Sequence, residues 1–390
     1  MPATGGDGVE APGGRLDPTC GTVDDPSSCG ACGHSCQGGA CRSGSCQPSV
    51  LAEGQGTPSD DGIHSGPTAL VVDDGHVYWL TRKGLFRVAV VGGVTEQLAD
   101  ASAVSTYCLN GDDRSNLLVV HGEHAYLRSA DKRRIVRMFK AGGAIEPVTP
   151  IADGDWTIGE LLFHGERLVW IEQAFVNKHI LWACSSLPCG ESGRQEPWAR
   201  SHVIQGLTLW PRTMASAGVE LCIGFDPTSE VSGGYGVVCL GGPGRKQKMT
   251  TGLMPVQTLT ALAAADDKVT VYGSFSGLVF RTVLSVTAPS TFLPDTVLAS
   301  GGTAAYSSPI LDAGYLYWLG AAGCTSEPCP ANTAVIWRVD ESGRAVPEKA
   351  LVGWDVNTLA VGKDSLYFGT NDGKVARLAK PPPRTKDPLP

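Results

Sequence analysis

Three cysteines near the start of the chain stand at a spacing that could hold a metal. Cys29, Cys32 and Cys36 follow a Cys-x2-Cys-x3-Cys pattern with His34 inside it. Tetrahedral zinc takes four nitrogen or sulfur ligands, and iron–sulfur clusters take four thiolates at family-specific spacings. Here Cys20, Cys41 and Cys46 complete an even set of six in a Gly/Ser-rich matrix. A short segment without apolar bulk needs covalent staples, so three disulfides are expected, with all fifteen connectivities open. A redox Cys-x-x-Cys role would need a thioredoxin-like βαβ context, which the sequence lacks. No metal and no cofactor is expected.

Seven further cysteines lie beyond the head. Cys184/Cys189 and Cys324/Cys329 each bracket four residues that include a Pro and a Ser, and both pairs read as hairpin-tip disulfides after a "YW"-type strand. Cys222 and Cys239 sit on neighbouring candidate strands, "ELCIGF" and "GVVCL", and could bridge them. Cys108 is left over and reads as a buried thiol.

Nucleophile machinery is missing from the sequence. "GSFSG" (273–277) places Phe275 where a Gly-x-Ser-x-Gly elbow needs serine, and neither a Walker loop nor a His-Glu-x-x-His occurs. His76, His121, His124 and His164 recur in short turns, as do the acid pairs Asp73-Asp74, Asp112-Asp113 and Asp266-Asp267. Such turn residues are ordinarily solvated, and no spaced calcium-type loop is present.

These groups are carried by a repeat. An apolar triplet, a turn, an alternating strand, a loop and a second alternating strand recur seven times between residues 70 and 380. Tyr78, Tyr126, Val169, Leu221, Val271, Tyr317 and Tyr367 mark one register, 43 to 52 residues apart. Seven units of about four short strands predict an all-β, seven-bladed β-propeller, with an open six-bladed ring as the alternative. The last repeat lacks its fourth strand, and "SVLAEGQ" (49–55) resembles the outer strands "EQLAD" and "DTVLAS". The N-terminal segment is therefore expected to complete the final blade and remove two open sheet edges. The expected organisation is a flexible tether (1–18), a Cys-rich module (19–47), a propeller (48–380) and a Pro-rich, disordered tail (381–390).

The strands "HVYWLT", "YLYWLG" and "SLYFGT" resemble those of YWTD/NHL-like β-propellers. The head is similar to the Cys-Gly-x-Cys-Gly modules that precede such propellers in predicted exported bacterial proteins. The Asp that closes a full Tyr-Trp-Thr-Asp signature is absent. The resemblance implies a propeller fold and leaves open binders, scaffolds and a few enzymes.

One constellation follows from the repeat. Just before the innermost strand in six of the seven repeats stand His64, Asp113, Trp156, Trp210, Tyr306 and Trp354, with Arg212 and Asp355 nearby, while the fifth repeat offers only the apolar "LMPV" stretch. In a propeller these connections share one face around the central channel. Aromatic platforms with a few polar groups can grip a sugar or peptide, or the same tryptophans can pack between blades.

The chain has 390 residues and a formal charge of −8, and only 18% of its residues are charged. That balance argues against nucleic acid, which needs a basic patch. No apolar run is long enough for a membrane-spanning helix. Thirteen cysteines imply an oxidising compartment. "MPATGGDGVEAPGG" has no basic and apolar leader, so an export signal or lipid-anchor cysteine is expected upstream of Met1. The expected function is a non-catalytic, extracellular, periplasmic or surface-tethered monomer that binds protein, peptide or carbohydrate on one propeller face. A metal-dependent propeller hydrolase or lyase is the alternative; it would need a convergent Glu/Asn/Asp or His set in the channel.

Overall fold

The computed structural model describes residues 24–54, 66–73, 75–105, 117–174, 178–184, 187–189, 309–321, 334–342, 346–351 and 353–382, and between 202 and 299 the strands given below.

The head carries a two-stranded ribbon of β1 (Cys41–Arg42) and β2 (Ser45–Cys46). β3 (Ser49–Ala52) follows at once. The first blade holds β4 (Ala69–Val72), β5 (His76–Thr81), β6 (Gly84–Ala89) and β7 (Glu96–Asp100). The second holds β8 (Leu118–His121), β9 (His124–Arg128), β10 (Ile135–Phe139) and β11 (Glu146–Pro147). Three strands make the third: β12 (Thr157–His164), β13 (Arg167–Ala174) and β14 (Lys178–Cys184). The fourth has β15 (His202–Ile204), β16 (Leu207–Ala217), β17 (Glu220–Pro227), β18 (Gly236–Leu240) and β19 (Lys248–Met249). β20 (Thr258–Ala263), β21 (Lys268–Phe275), β22 (Leu278–Ser285) and β23 (Thr296–Ala299) form the fifth. The sixth comprises β24 (Ile310–Asp312), β25 (Tyr315–Ala321), β26 (Ala334–Asp340) and β27 (Glu348–Leu351). The last comprises β28 (Val356–Val361), β29 (Ser365–Thr370) and β30 (Val375–Ala379).

Among the described residues every sheet is antiparallel, and apart from the head ribbon the seven sheets match the seven sequence repeats one to one. Their innermost strands pack as a closed ring: β4 beside β8, then β12, β16, β20, β24 and β28, which returns to β4. This is a β-propeller. All seven register residues lie on second strands and are buried. β3 pairs with β30, Ser49 opposite Arg377 and Val50 opposite Ala376, so the N-terminal segment does complete the last blade. Its Leu51 packs with Trp79, Val77 and Val375 in one core cluster that spans the junction of first and last blades.

Tight turns explain why strands one and two pair so closely. Ala313 (φ 47°) and Gly314 (φ 82°) both occupy the left-handed region between β24 and β25, as a two-residue hairpin requires. The Asp73 carboxylate caps the equivalent turn in the first blade, accepting from the amides of Gly75 (3.0 Å) and His76 (2.8 Å). Asp73 also receives the Lys140 ammonium from the neighbouring blade at 3.1 Å. Burial opposes ionisation of Asp73, but these amides and the ammonium outweigh it and hold its carboxyl below the ordinary value.

Four disulfides can be described. Cys29–Cys41 and Cys36–Cys46 cross the head, and Cys32 is also disulfide-bonded. Cys222–Cys239 bridges directly opposed residues of β17 and β18, with Cα atoms 4.0 Å apart. Cys184–Cys189 forms too, but not as an exposed hairpin tip after a second strand. Cys184 ends the third strand β14, and both sulfurs are buried in the core between the second and third blades. The Cys189 amide donates to Val148 of the second blade at 2.7 Å, which pulls the loop inward. Cys20, Cys108, Cys324 and Cys329 lie outside the described residues.

Candidate ligand-binding face

Chain direction sorts the propeller into two faces. Innermost strands start at one face, where second strands end. The turns between first and second strands lie at the other. The head docks on that second face, against the last two blades. His34 is the pivot: Nε2 contacts the carbonyl of Lys380 at 2.8 Å, and Nδ1 contacts the carbonyl of Cys29 at 2.6 Å. Gly38 comes so near that a Cβ would sit 2.7 Å from Arg377 Nη2. Cys46 packs on the apolar cluster shared by the sixth and seventh blades.

The opposite face carries the tryptophans. Trp354 and Asp355 immediately precede β28. The Trp354 ring is half-buried and stands edge-on to Phe368, with centroids 5.4 Å apart at 84°. Asp355 accepts from Asn371 Nδ2 at 2.8 Å, and its carbonyl accepts the Asn371 amide at 2.9 Å. Asn371 Oδ1 in turn accepts from Asn357 Nδ2 at 3.2 Å. Asn357 is the extra residue of a β-bulge between Val356 and Thr358, only 9% exposed, and its Oδ1 is buried with no partner. Bulges re-aim side chains, and this one turns an amide inward from a mainly apolar strand. Gly66 crosses just above: a Cβ there would lie 1.9 Å from the Thr370 carbonyl oxygen and 2.9 Å from Asn357 Nδ2.

Trp156 holds the equivalent place before β12 and is also half-buried. Around it the buried groups are ionic. Arg128, 1% exposed, donates from Nη1 to the Ile158 carbonyl at 2.9 Å. Glu160, 6% exposed and again on a bulge, accepts the Met214 amide at 3.0 Å and so ties β12 to β16. Glu172 accepts from Trp170 Nε1 at 3.2 Å. Burial and the Arg128 charge together push the Lys132 ammonium below its ordinary value.

Some polar groups at this face only close turns. The hydroxyls of Thr81, Ser129 and Thr370 accept from the amides of Lys83, Arg134 and Lys374 at 3.0, 3.2 and 2.9 Å. They cap the links between second and third strands.

The expected site residues are therefore partly assembled. Trp354 and Asp355 come together with Asn357 and Asn371, and Trp156 stands on the same face in another blade. Trp210 and Arg212 do not precede an innermost strand; they lie within β16, Trp210 opposite Asp226 and Arg212 at a bulge. β16 runs further because Leu207–Leu209 also pair with β15. His64, Asp113 and Tyr306 lie outside the described residues. Sequence reading missed Arg128, Glu160, Asn357 and Asn371. The available signal was a carboxylate or amide side chain inside a mainly apolar inner strand, as in "TIGELLF" and "VNTLAV".

Among the described residues, the group close enough to hold a metal is Cys29, Cys36 and Cys41, and all three are in disulfides. Among those residues, no helix is long and apolar enough to cross a membrane.

No protein-family model matches the chain, and no curated protein matches it in sequence. Solved structures do share its fold. Puromycin hydrolase aligns over 82% of this chain and 53% of its own length, at 14% identity and a TM-score of 0.52. The CNH domain of AfRom2 aligns over 87% and 100%, at 9% identity and a TM-score of 0.50. At such identity the likeness is one of fold alone, a β-propeller.

Proposed function

We propose that this protein is a non-catalytic binding or scaffold protein, exported or tethered at a cell surface, that engages its partner through the face bearing Trp156 and Trp354. The observation that carries this reading is the side on which the head sits. His34, Gly38 and Cys46 dock the head on the opposite face. An N-terminal tether would thus hold the protein from behind and present the tryptophan face outward. The described disulfides suit an oxidising compartment, in keeping with the resemblance to YWTD/NHL-like propellers behind exported Cys-rich modules. The Asp355–Asn371–Asn357 chain and the half-buried tryptophans supply orienting polar groups beside apolar ring area, the usual make-up of a recognition site.

The test is a screen of peptide and carbohydrate arrays with oxidised, full-length protein, followed by titration of each hit against Trp354→Ala and Asp355→Ala. Binding that weakens about tenfold or more in both variants supports the reading. A screen in which no hit is weakened by either variant would sink it.

A further inference from the structure

A cavity of about 400 Å³ lies in the seam between the head and the propeller, on the face away from Trp354. Its volume falls within the roughly 300–1,000 Å³ usual for small-molecule sites. One wall is the head loop around His34, Ser35 and Gln37, and the other is made by Tyr315, Tyr317 and Pro381–Pro382. The side chains lining it are held firmly. Arg338 lies over the Tyr315 ring at 4.9 Å, and its Nη1 and Nη2 donate to the Pro381 and Pro382 carbonyls at 2.8 and 3.1 Å. Lys380 is neutralised, because its ammonium bonds the Asp312 carboxylate and the Lys363 carbonyl.

The rim shows what such a cavity would take. Lys363 and Asp364 are exposed neighbours with opposite charges, set at the turn of the last blade. An anion would find one free ammonium with a carboxylate beside it, and a cation would meet the reverse. A neutral polyhydroxylated ring suits both: one hydroxyl accepts from the ammonium while its neighbour donates to the carboxylate. Its apolar ring face can lie on tyrosine. We infer that the seam cavity is a saccharide site, taking one or two neutral sugar rings between Tyr315 and the Lys363–Asp364 pair. Because both walls must be present, a bound sugar also clamps the head to the propeller by mass action.

This site is separate from the tryptophan face, so the two stand or fall independently. The experiment is calorimetric titration of the oxidised full chain with cellobiose, maltose, lactose and diacetylchitobiose, joined to hydrogen exchange of the head. The expected result is binding of at least one disaccharide, slower exchange at residues 31–37, and a loss of about tenfold or more in Lys363→Ala and Tyr315→Ala, while Tyr315→Phe, which keeps the ring, binds normally. Trp354→Ala binds normally. Lys363 is exposed, so its variant keeps the test sound if Tyr315→Ala fails to fold. No binding by any of the four sugars overturns the inference. So does binding that Trp354→Ala abolishes and Lys363→Ala leaves intact.

Discussion

Arg377, on the last strand, donates from Nη1 to the carbonyl of Val90, in the first blade and 287 positions earlier, at 2.7 Å. The bond repeats around the ring. Arg87 donates to the Lys140 carbonyl of the next blade, and Arg338 to those of Pro381 and Pro382. Each of these three arginines, and likewise Arg137 and Arg281 in two other blades, lies opposite a second-strand tyrosine and bonds its hydroxyl: Tyr78 with Arg87, Tyr126 with Arg137, Tyr272 with Arg281, Tyr317 with Arg338 and Tyr367 with Arg377. In three blades a fourth-strand glutamate completes the set, Glu96, Glu146 or Glu348. Four of the register residues found in the sequence, Tyr78, Tyr126, Tyr317 and Tyr367, with Tyr272 one position past Val271, are thus half of a set that, at Arg87, Arg338 and Arg377, reaches across to the neighbouring blade.

Removing that lock where the ring closes is expected to destabilise the whole propeller. Arg377→Met should cost about 1–3 kcal/mol, because the Val90 carbonyl and Tyr367 hydroxyl lose a charged donor inside the protein. Lys374→Met, which breaks only the exposed pair with Asp372, should leave the melting temperature unchanged. Thermal denaturation of both variants makes the comparison.

Closure by β3 can be tested in the same way. Leu51 is buried against Trp79 and Val375. Leu51→Ala should cost about 2–5 kcal/mol, typical of a buried leucine replaced by alanine. A shift as small as that of an exposed site such as Val94→Ala would mean that β3 does not seal the ring.

The Cys222–Cys239 bridge joins cysteines 17 positions apart in sequence on adjacent strands. The double serine variant should be about 2–4 kcal/mol less stable in chemical denaturation. A reducing agent should narrow the difference between parent and variant, because it opens this bridge in the parent and the other described disulfides in both.

Alkaline pH should unlock the blades. Burial, with the nearby Asp73 charge, pushes the Tyr78 hydroxyl up to about 12 despite Arg87. Burial also raises Tyr272, Tyr317 and Tyr367. Each folded-state value lies above the unfolded one near 10, so the protonated phenols favour the fold. Their contribution is complete below about pH 10 and is lost as pH rises towards 12. Spectrophotometric titration should show these tyrosines ionising late, and denaturant midpoints should fall over the same interval. Tyrosines that all titrate near 10 in the native protein would contradict this.

Much of the fold was legible because strand alternation and one register position every 43 to 52 residues, a tyrosine in four of the seven repeats, survive any change in loop length. The arginine partners were not. Arg87 follows Tyr78 by nine positions and Arg338 follows Tyr317 by 21, so only strand register reveals that they are equivalent. Trp354 and Asp355 could be placed by counting back from the register residue. Asn357 and Glu160 could not, because the side to which a bulged residue turns depends on pairing that sequence does not encode locally. His34, within a metal-like cysteine spacing, contacts a carbonyl 346 positions away, and no pattern near it hints at that contact.

The most direct test of the central claim is a hydrogen-exchange footprint of the protein with an array-selected ligand bound. The account predicts slowed exchange at residues 153–158, 353–357 and 370–374, the segments that carry Trp156, Trp354, Asp355 and Asn371. Protection confined to the outer strands or to the head-bearing face would contradict it.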